Sequence, residues 1–319
     1  HAGRRAKINW LKLEQARANK TPIDWQAYTP VKPNNPGISV FEDYPLEELR
    51  KYIDWTPFFF SWELKGRYPK ILDDADKGEE ARKLFRDAQE MLDTLIKEKW
   101  LTARAVIGLF PANSVNDDDI EIYTDDSRQT VLTVLHNLRQ QTEKPPGKAN
   151  ACLSDFVAPV GSAVNDYVGT FAVTTGIGID EKVAEFEKVH DDYNAIMLKA
   201  LADRLAEAFA ERMHERVRKE FWGYAADEVL SNEELINENY NGIRPAAGYP
   251  ACPDHTEKEL IWSIMDAREN TGMWLTESMA MVPAASVSGI YYAHPESRYF
   301  AVGKINRDQV EDYARRKGM

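Results

Sequence analysis

From residue 102 to about residue 175 the apolar residues shift toward a period of two, and no other feature of the chain constrains its fold as strongly. The runs "ARAVIGLFPA", "DIEIYTD", "QTVLTVLH", "CLSDFVAP" and "DYVGTFAVTTG" are β-rich, with turn clusters such as "NSVNDDD" and "TEKPPGKAN" between them. Strand follows strand with no helix between, whereas a parallel sheet needs long crossovers. The expected fold class is α+β: a single domain with a mainly antiparallel, mixed sheet flanked by helices.

Around this block the period is helical. In "DKGEEARKLFRDAQEMLDTLIKEKW", Ala81, Leu84, Phe85, Ala88, Leu92 and Leu95 recur at three and four. Pro45 and Leu46 open a shorter helix, and "TPFFFSWEL" reads as a buried strand. Residues 180–224 predict a long helix, with a break near "HDDYN". A helix at "TEKELIWSIMDAREN", strands at "VSGIYYAHP" and "RYFAVGKI", and a last helix at "NRDQVEDYARRKGM" complete the reading. Residues 1–40 form an expected linker or strap, with a basic opening and a proline-rich stretch in which Trp25 and Tyr28 pin the chain to a surface. The compact domain is expected over 41–319, and the start without methionine suggests a piece of a longer protein.

Several functions are disfavoured at once. A net charge of −12 gives no broad basic face for nucleic acid, and no apolar run is long enough to span a bilayer. Two cysteines, Cys152 and Cys252, make no disulfide framework and fit a reducing, cytoplasmic setting. The G-I-G of "GTFAVTTGIGID" lacks the full dinucleotide spacing, which argues against a Rossmann methyltransferase fold, and no P-loop or serine elbow occurs. Cys252 and His255 have the spacing C-x-x-H, but zinc needs three or four ligands and no second close pair completes a set, so no metal site is expected.

One loop stands out. "GIRPAAGYPACPDHTEK", residues 242–258, is too rich in proline and glycine for regular structure and too rich in special residues for a plain turn. Arg244 sits on stiff backbone, with a fork suited to a carboxylate or phosphate; a local acid is the competing partner. Gly248 allows close backbone approach, and Tyr249 offers a ring and a hydroxyl. On the long helix, Asp203 and Glu207 share a face with Glu211 a turn later, which reads either as a solvated stripe or as a contact for a cation.

These stretches, with "YIDWTPFF", "IGLFPAN", "LRQQTEK", "HDDYNAIMLKALADRLAEAFAE" and "LTESMAMVPAASVSG", closely resemble the carboxy-terminal activation domain of cobalamin-dependent methionine synthase from about residue 22 onward. The most specific element is R-x-x-x-G-Y, Arg244 to Tyr249. The resemblance implies S-adenosylmethionine bound by Asp54, Glu207, Arg244, Gly248 and Tyr249, with Tyr299 and Phe300 standing where the family has two tyrosines. It implies that Asp203 contacts the cobalamin-bearing domain, to which residues 1–40 connect. It further implies reductive methylation of cobalamin, with flavodoxin or a flavodoxin-like reductase supplying the electron, and zinc only in a homocysteine domain outside this chain. In this reading the chain is part of a methyltransferase, and alone it is catalytically incomplete. Two other readings remain open at this stage: a self-sufficient methyltransferase of non-Rossmann fold, and a non-catalytic interaction module.

Overall fold

The computed structural model describes residues 8–319. The basic opening of the strap, residues 1–7, lies outside them.

The strands are β1 (Gly37–Phe41), β2 (Thr102–Val115), β3 (Asp119–Tyr123), β4 (Val131–His136), β5 (Asp166–Ile177), the short ribbon β6 (Trp274–Leu275) and β7 (Met281–Val282), and β8 (Ser286–Tyr291). All but the ribbon form one sheet in the order β4-β3-β2-β5-β8. Every pairing between these strands is antiparallel. The length of β2 organises the sheet. Along one edge it pairs first with β1 and then with β3, end to end, while β5 runs along its other edge.

Both faces of the sheet are covered. Ala103, Ala105, Ile107 and Leu109 of β2, with Phe171 and Val173 of β5, belong to a core shared with the helices α4 (Gly78–Lys97) and α6 (Asp192–Arg216). The alternate residues Val106, Phe110 and Ala112, with Val168 and Ala172, join a second core under α8 (Glu257–Ser263) and α9 (Ala267–Thr271). Strands buried on both faces lose the polar half of their alternation, which is why β2 and β5 read as almost continuous apolar runs.

Five sequence expectations need correction or detail. "TPFFFSWEL" is not a strand: Thr56–Ser61 form α3, after α1 (Leu13–Ala18) and α2 (Leu46–Arg50). Pro57 sits in the first turn, where its missing N–H costs nothing, and Asp54 Oδ1 accepts the Thr56 N–H. "CLSDFVAP" is a 3₁₀ turn, Leu153–Phe156, because the Asp155 carboxylate draws in the N–H groups of Cys152 and Thr21. The long helix breaks where expected, between α5 (Ile179–Lys188) and α6, with His190 at φ 57° and Asp191 capping α6 through the Asn194 N–H. It ends in one wide π-helical turn, Val217–Phe221, before α7 (Asn232–Ile236). The helix expected over "TEKELIWSIMDAREN" divides into α8 and α9 at Asp266, whose φ is 47°. "RYFAVGKI" is irregular, with Gly303 at φ 71°, and is not a sheet strand, since the edge of β8 is already occupied by the loop described below; α10 (Arg307–Lys317) follows it.

Residues 8–36 lie across the domain under several kinds of hold. The Leu13 N–H bonds Asp308 at 2.8 Å, Arg17 bridges Asp118 and Asp312, and the Trp222 indole donates to the Val31 carbonyl. Trp25 and Tyr28 pack edge-on against His294, with centroids 5.0 and 4.4 Å away.

Candidate functional site

The unusual loop finishes the sheet. Ile243 and Tyr292 exchange both backbone hydrogen bonds at 3.0 Å, and the Ile290 N–H donates to the Pro245 carbonyl at 2.9 Å. Residues 243–245 thus pair with the outer edge of β8, and the pairing ends at Pro245, which has no N–H to return to the Ile290 carbonyl. Gly289 makes the approach possible: a Cβ there would lie 2.6 Å from the Pro245 oxygen. Alternation then aims the side chains. Ile243 enters the second core, and Arg244 turns to the opposite side, toward α6.

The Arg244 guanidinium meets a local acid, the competing partner that the sequence had left open. Its Nη1 and Nη2 meet the two carboxylate oxygens of Glu211 at 3.3 and 2.9 Å. Nη1 also donates to His214 Nδ1 at 3.0 Å and to the Tyr240 hydroxyl at 2.8 Å. Burial acts to lower the pKa of Arg244, but Glu211, Tyr240 and Tyr299 more than offset it and hold the group charged. His214 is driven far below the ordinary imidazole range by burial, with Arg218 and Arg244 adding to the effect. It is therefore neutral, accepts at Nδ1, and carries its proton on Nε2, which has no hydrogen-bond partner among the described residues.

A guanidinium has two hydrogen-bonding edges. Glu211 takes the outer one, made by Nη1 and Nη2. The lateral edge, made by Nε–H and the second Nη2–H, has no acceptor among the described residues. Arg244 is thus both an internal partner and an open fork.

Two cavities meet at this arginine, sharing Glu207, Glu238 and Arg244 in their walls. The larger, about 590 Å³, also holds Tyr249, His255, Lys258, Tyr299 and Phe300, with Ala246, Pro250, Met281 and Val287 as its apolar lining. The smaller, about 340 Å³, adds Asp54, Arg204 and Glu211. Around Arg244, four carboxylates (Asp54, Glu207, Glu211 and Glu238) face two arginines, so this end of the space favours a ligand with positive charge.

Of the residues singled out in the sequence, Asp54, Glu207, Arg244, Tyr249, Tyr299 and Phe300 come together here. Tyr299 also accepts the Arg244 main-chain N–H at 2.9 Å. Gly248 shapes the turn without lining either cavity: its φ is 92°, and a Cβ would lie 2.2 Å from the His255 ring. Asp203 is exposed on α6, a turn before Glu207, and lines neither cavity. The acidic stripe therefore divides. Asp203 and Glu207 are exposed, while Glu211 is buried in its pair with Arg244. Cys252 and Cys152 are free and buried, with burial pushing both thiols up. His255 is engaged by Lys258, and no group of three metal-ligating residues occurs among the described residues. Lys258 also donates to the Met279 carbonyl, and burial lowers its pKa.

Glu238, His214 and Lys258 were not among the candidates, and Glu211 entered only as part of the acidic stripe. Glu238 follows α7 at φ 56°, in a polar run "NENYNG" that signals a turn but no ligand. The helical spacing that brings Glu211 and His214 to Arg244 is visible only once the loop is placed.

The family model of the vitamin B12 dependent methionine synthase activation domain matches residues 45–318. The chain belongs to that family. It is also similar to a solved structure described as the MetH reactivation domain bound to AdoHcy, with 61% sequence identity and a TM-score of 0.95. The match covers 98% of this chain and 95% of that one. This activation domain is thus a domain of a methyltransferase. Among its described residues no helix is long and apolar enough to cross a membrane.

Proposed function

We propose that this activation domain binds S-adenosylmethionine beside Arg244 and presents its methyl group to cobalamin held by a neighbouring domain. The observation that carries the reading is the open lateral edge of Arg244 in a cavity walled by carboxylates, in a chain 61% identical to a domain crystallised with AdoHcy. The ligand's α-carboxylate docks on that edge, while Asp54 and Glu207 favour its ammonium and sulfonium. The Gly248–Tyr249 turn, Tyr299 and Phe300 line the remainder, with Phe300 contributing its ring or main chain. Reduced cobalamin on the neighbouring domain would supply the nucleophile for the methyl carbon, and loss of the methyl would leave the ligand's sulfonium as a neutral thioether. No general base is required, so this chain contributes positioning and electrostatics.

In this reading residues 1–40 connect to the cobalamin-binding domain, and Asp203, exposed outside both cavities, faces it. Flavodoxin or a flavodoxin-like reductase delivers the electron; since such partners are acidic and this chain carries −12, docking needs a local basic patch, for which "ELKGRYPK" and the Arg/Lys positions of α4 are candidates. Zinc belongs to the homocysteine domain. The protein works in the cytoplasm, without nucleic acid or membrane, and supports methionine synthesis.

Titration calorimetry with S-adenosylmethionine tests the reading. Binding is expected, and Arg244→Ala should weaken it by about 1.5–3 kcal/mol, the scale of a hydrogen bond to a charged group. No binding by the unaltered chain overturns the function, and unchanged affinity in the variant overturns the role of Arg244. Methyl transfer should appear only when the cobalamin domain is added.

A further inference from the structure

Arg244 is held in place from behind. Glu211 and His214 lie one turn apart on α6, and Tyr240 precedes the loop by four residues; all three accept from Nη1, and Glu211 also from Nη2. The holders are themselves held. The His214 ring stacks on Tyr291 of β8, with centroids 5.1 Å apart and planes inclined by 18°, and meets the Tyr240 ring edge-on at 4.9 Å. Arg218, one turn further along, lies 3.9 Å over the Tyr240 ring and pairs with Glu228. An arginine packed in this way has given up its rotamer freedom before a ligand arrives, so binding does not have to restrict it again.

We propose that Glu211, His214 and Tyr240 are positioning residues for ligand binding: by holding Nη1 and one side of Nη2 of Arg244, they aim its lateral edge at the ligand's carboxylate. The inference rests on the ligand reading above and adds a division of labour within one side chain. Glu211 is then neither part of a solvated acidic stripe nor a rival of the ligand. It is the counter-charge that keeps the fork turned outward.

The test compares two ligands by calorimetry. S-adenosylmethionine carries the amino-acid end, and S-methyl-5′-thioadenosine keeps the nucleoside and lacks that end. Glu211→Gln retains the size of the side chain but sets an amide N–H against Nη2. It should raise the Kd for S-adenosylmethionine about tenfold, the scale of a lost charge-assisted hydrogen bond. Tyr240→Phe removes one of the acceptors on Nη1 and should raise it about threefold, less than loss of the charged acceptor. Neither variant should move the Kd for methylthioadenosine by more than about twofold, the usual scatter for sites that do not couple. In an Arg244→Ala background neither should cost anything further, because the group they position is gone. Equal losses for both ligands would mean that the residues act through the fold, and unchanged affinities would mean that Arg244 needs no positioning; either result overturns the proposal. If Glu211→Gln fails to fold by circular dichroism, Tyr240→Phe decides alone. An unaltered chain that binds neither ligand would instead remove the ligand reading itself.

Discussion

Arg139 and Arg244 both meet acids inside this domain and are finished differently by the fold. Arg139, from "LRQQTEK", is fully buried on the side of the strap and α10. Its Nε meets Asp118 at 2.8 Å, Nη1 and Nη2 meet Asp155 at 2.9 and 2.8 Å, and the carbonyls of Asn150 and Asp117 take the remaining hydrogens. Five donors find five acceptors. Arg244 also faces a buried acid, but its acceptors crowd onto Nη1 and one side of Nη2, its lateral edge has none among the described residues, and the residue lines two cavities. A closed guanidinium ties chain segments together, whereas a half-closed one is built to receive something. Whether a buried arginine is structural or functional is therefore a question about its edges, and pairing with an acid does not decide it.

The sharpest way to break this contrast is to remove the closed arginine. Arg139→Ala leaves the Asp155 carboxylate buried without a counter-charge and Asp118 with Arg17 alone, and should cost about 3–5 kcal/mol in urea unfolding, the range for breaking a buried pair. A loss below about 1 kcal/mol, the level of a surface pair, would show the network to be ornamental.

Next comes a buried acid with no direct ion pair. Asp166 accepts the N–H groups of Ala158 and Tyr167, and burial outweighs these and Arg128 to push its pKa up to about 6. A pKa raised in the folded state means that the native protein holds this proton more tightly than the unfolded chain. Stability should therefore fall as pH rises from about 4 to about 6, by about 3 kcal/mol in all if the shift is fully expressed. Asp166→Asn should remove that part of the pH profile in denaturant midpoints taken at several pH values. An unchanged profile would place the titration elsewhere.

Gly248→Ala probes the turn beside the open arginine. With φ at 92° and the His255 ring 2.2 Å from a new Cβ, it should cost about 1–3 kcal/mol, the range for a strained non-glycine residue. The same melts should show S-adenosylmethionine protecting the variant less than the parent.

The smallest effect concerns charge. Glu207→Gln should narrow the preference for S-adenosylmethionine over S-adenosylhomocysteine by about 0.5 kcal/mol, since an exposed acid is well screened. The difference should shrink further at high salt. A preference insensitive to both would mean that this acid does not sense the sulfonium.

The sheet was legible because β2 and β5 are long and their turns carry strong signals, so local pattern and tertiary pairing agree. Where local chemistry competed with apolar content, the reading failed: Pro57 and Asp54 set a helix in "TPFFF", and Asp155 set a turn in "CLSDF". At the site, Arg244 and Tyr249 could be read from their spacing and resemblance. Glu211 could not be told from its neighbours on the same helix face, because only the register of residues 243–245 against β8 selects which acid the arginine meets.

That register has a last consequence. An antiparallel sheet ending in an uncovered strand offers its open backbone groups to any passing chain, and here the loop that walls the cavity also shields that flank. A substitution that frees residues 243–245 would then do more than weaken binding: it would leave a molecule inclined to self-associate, so loss of affinity and loss of solubility should travel together.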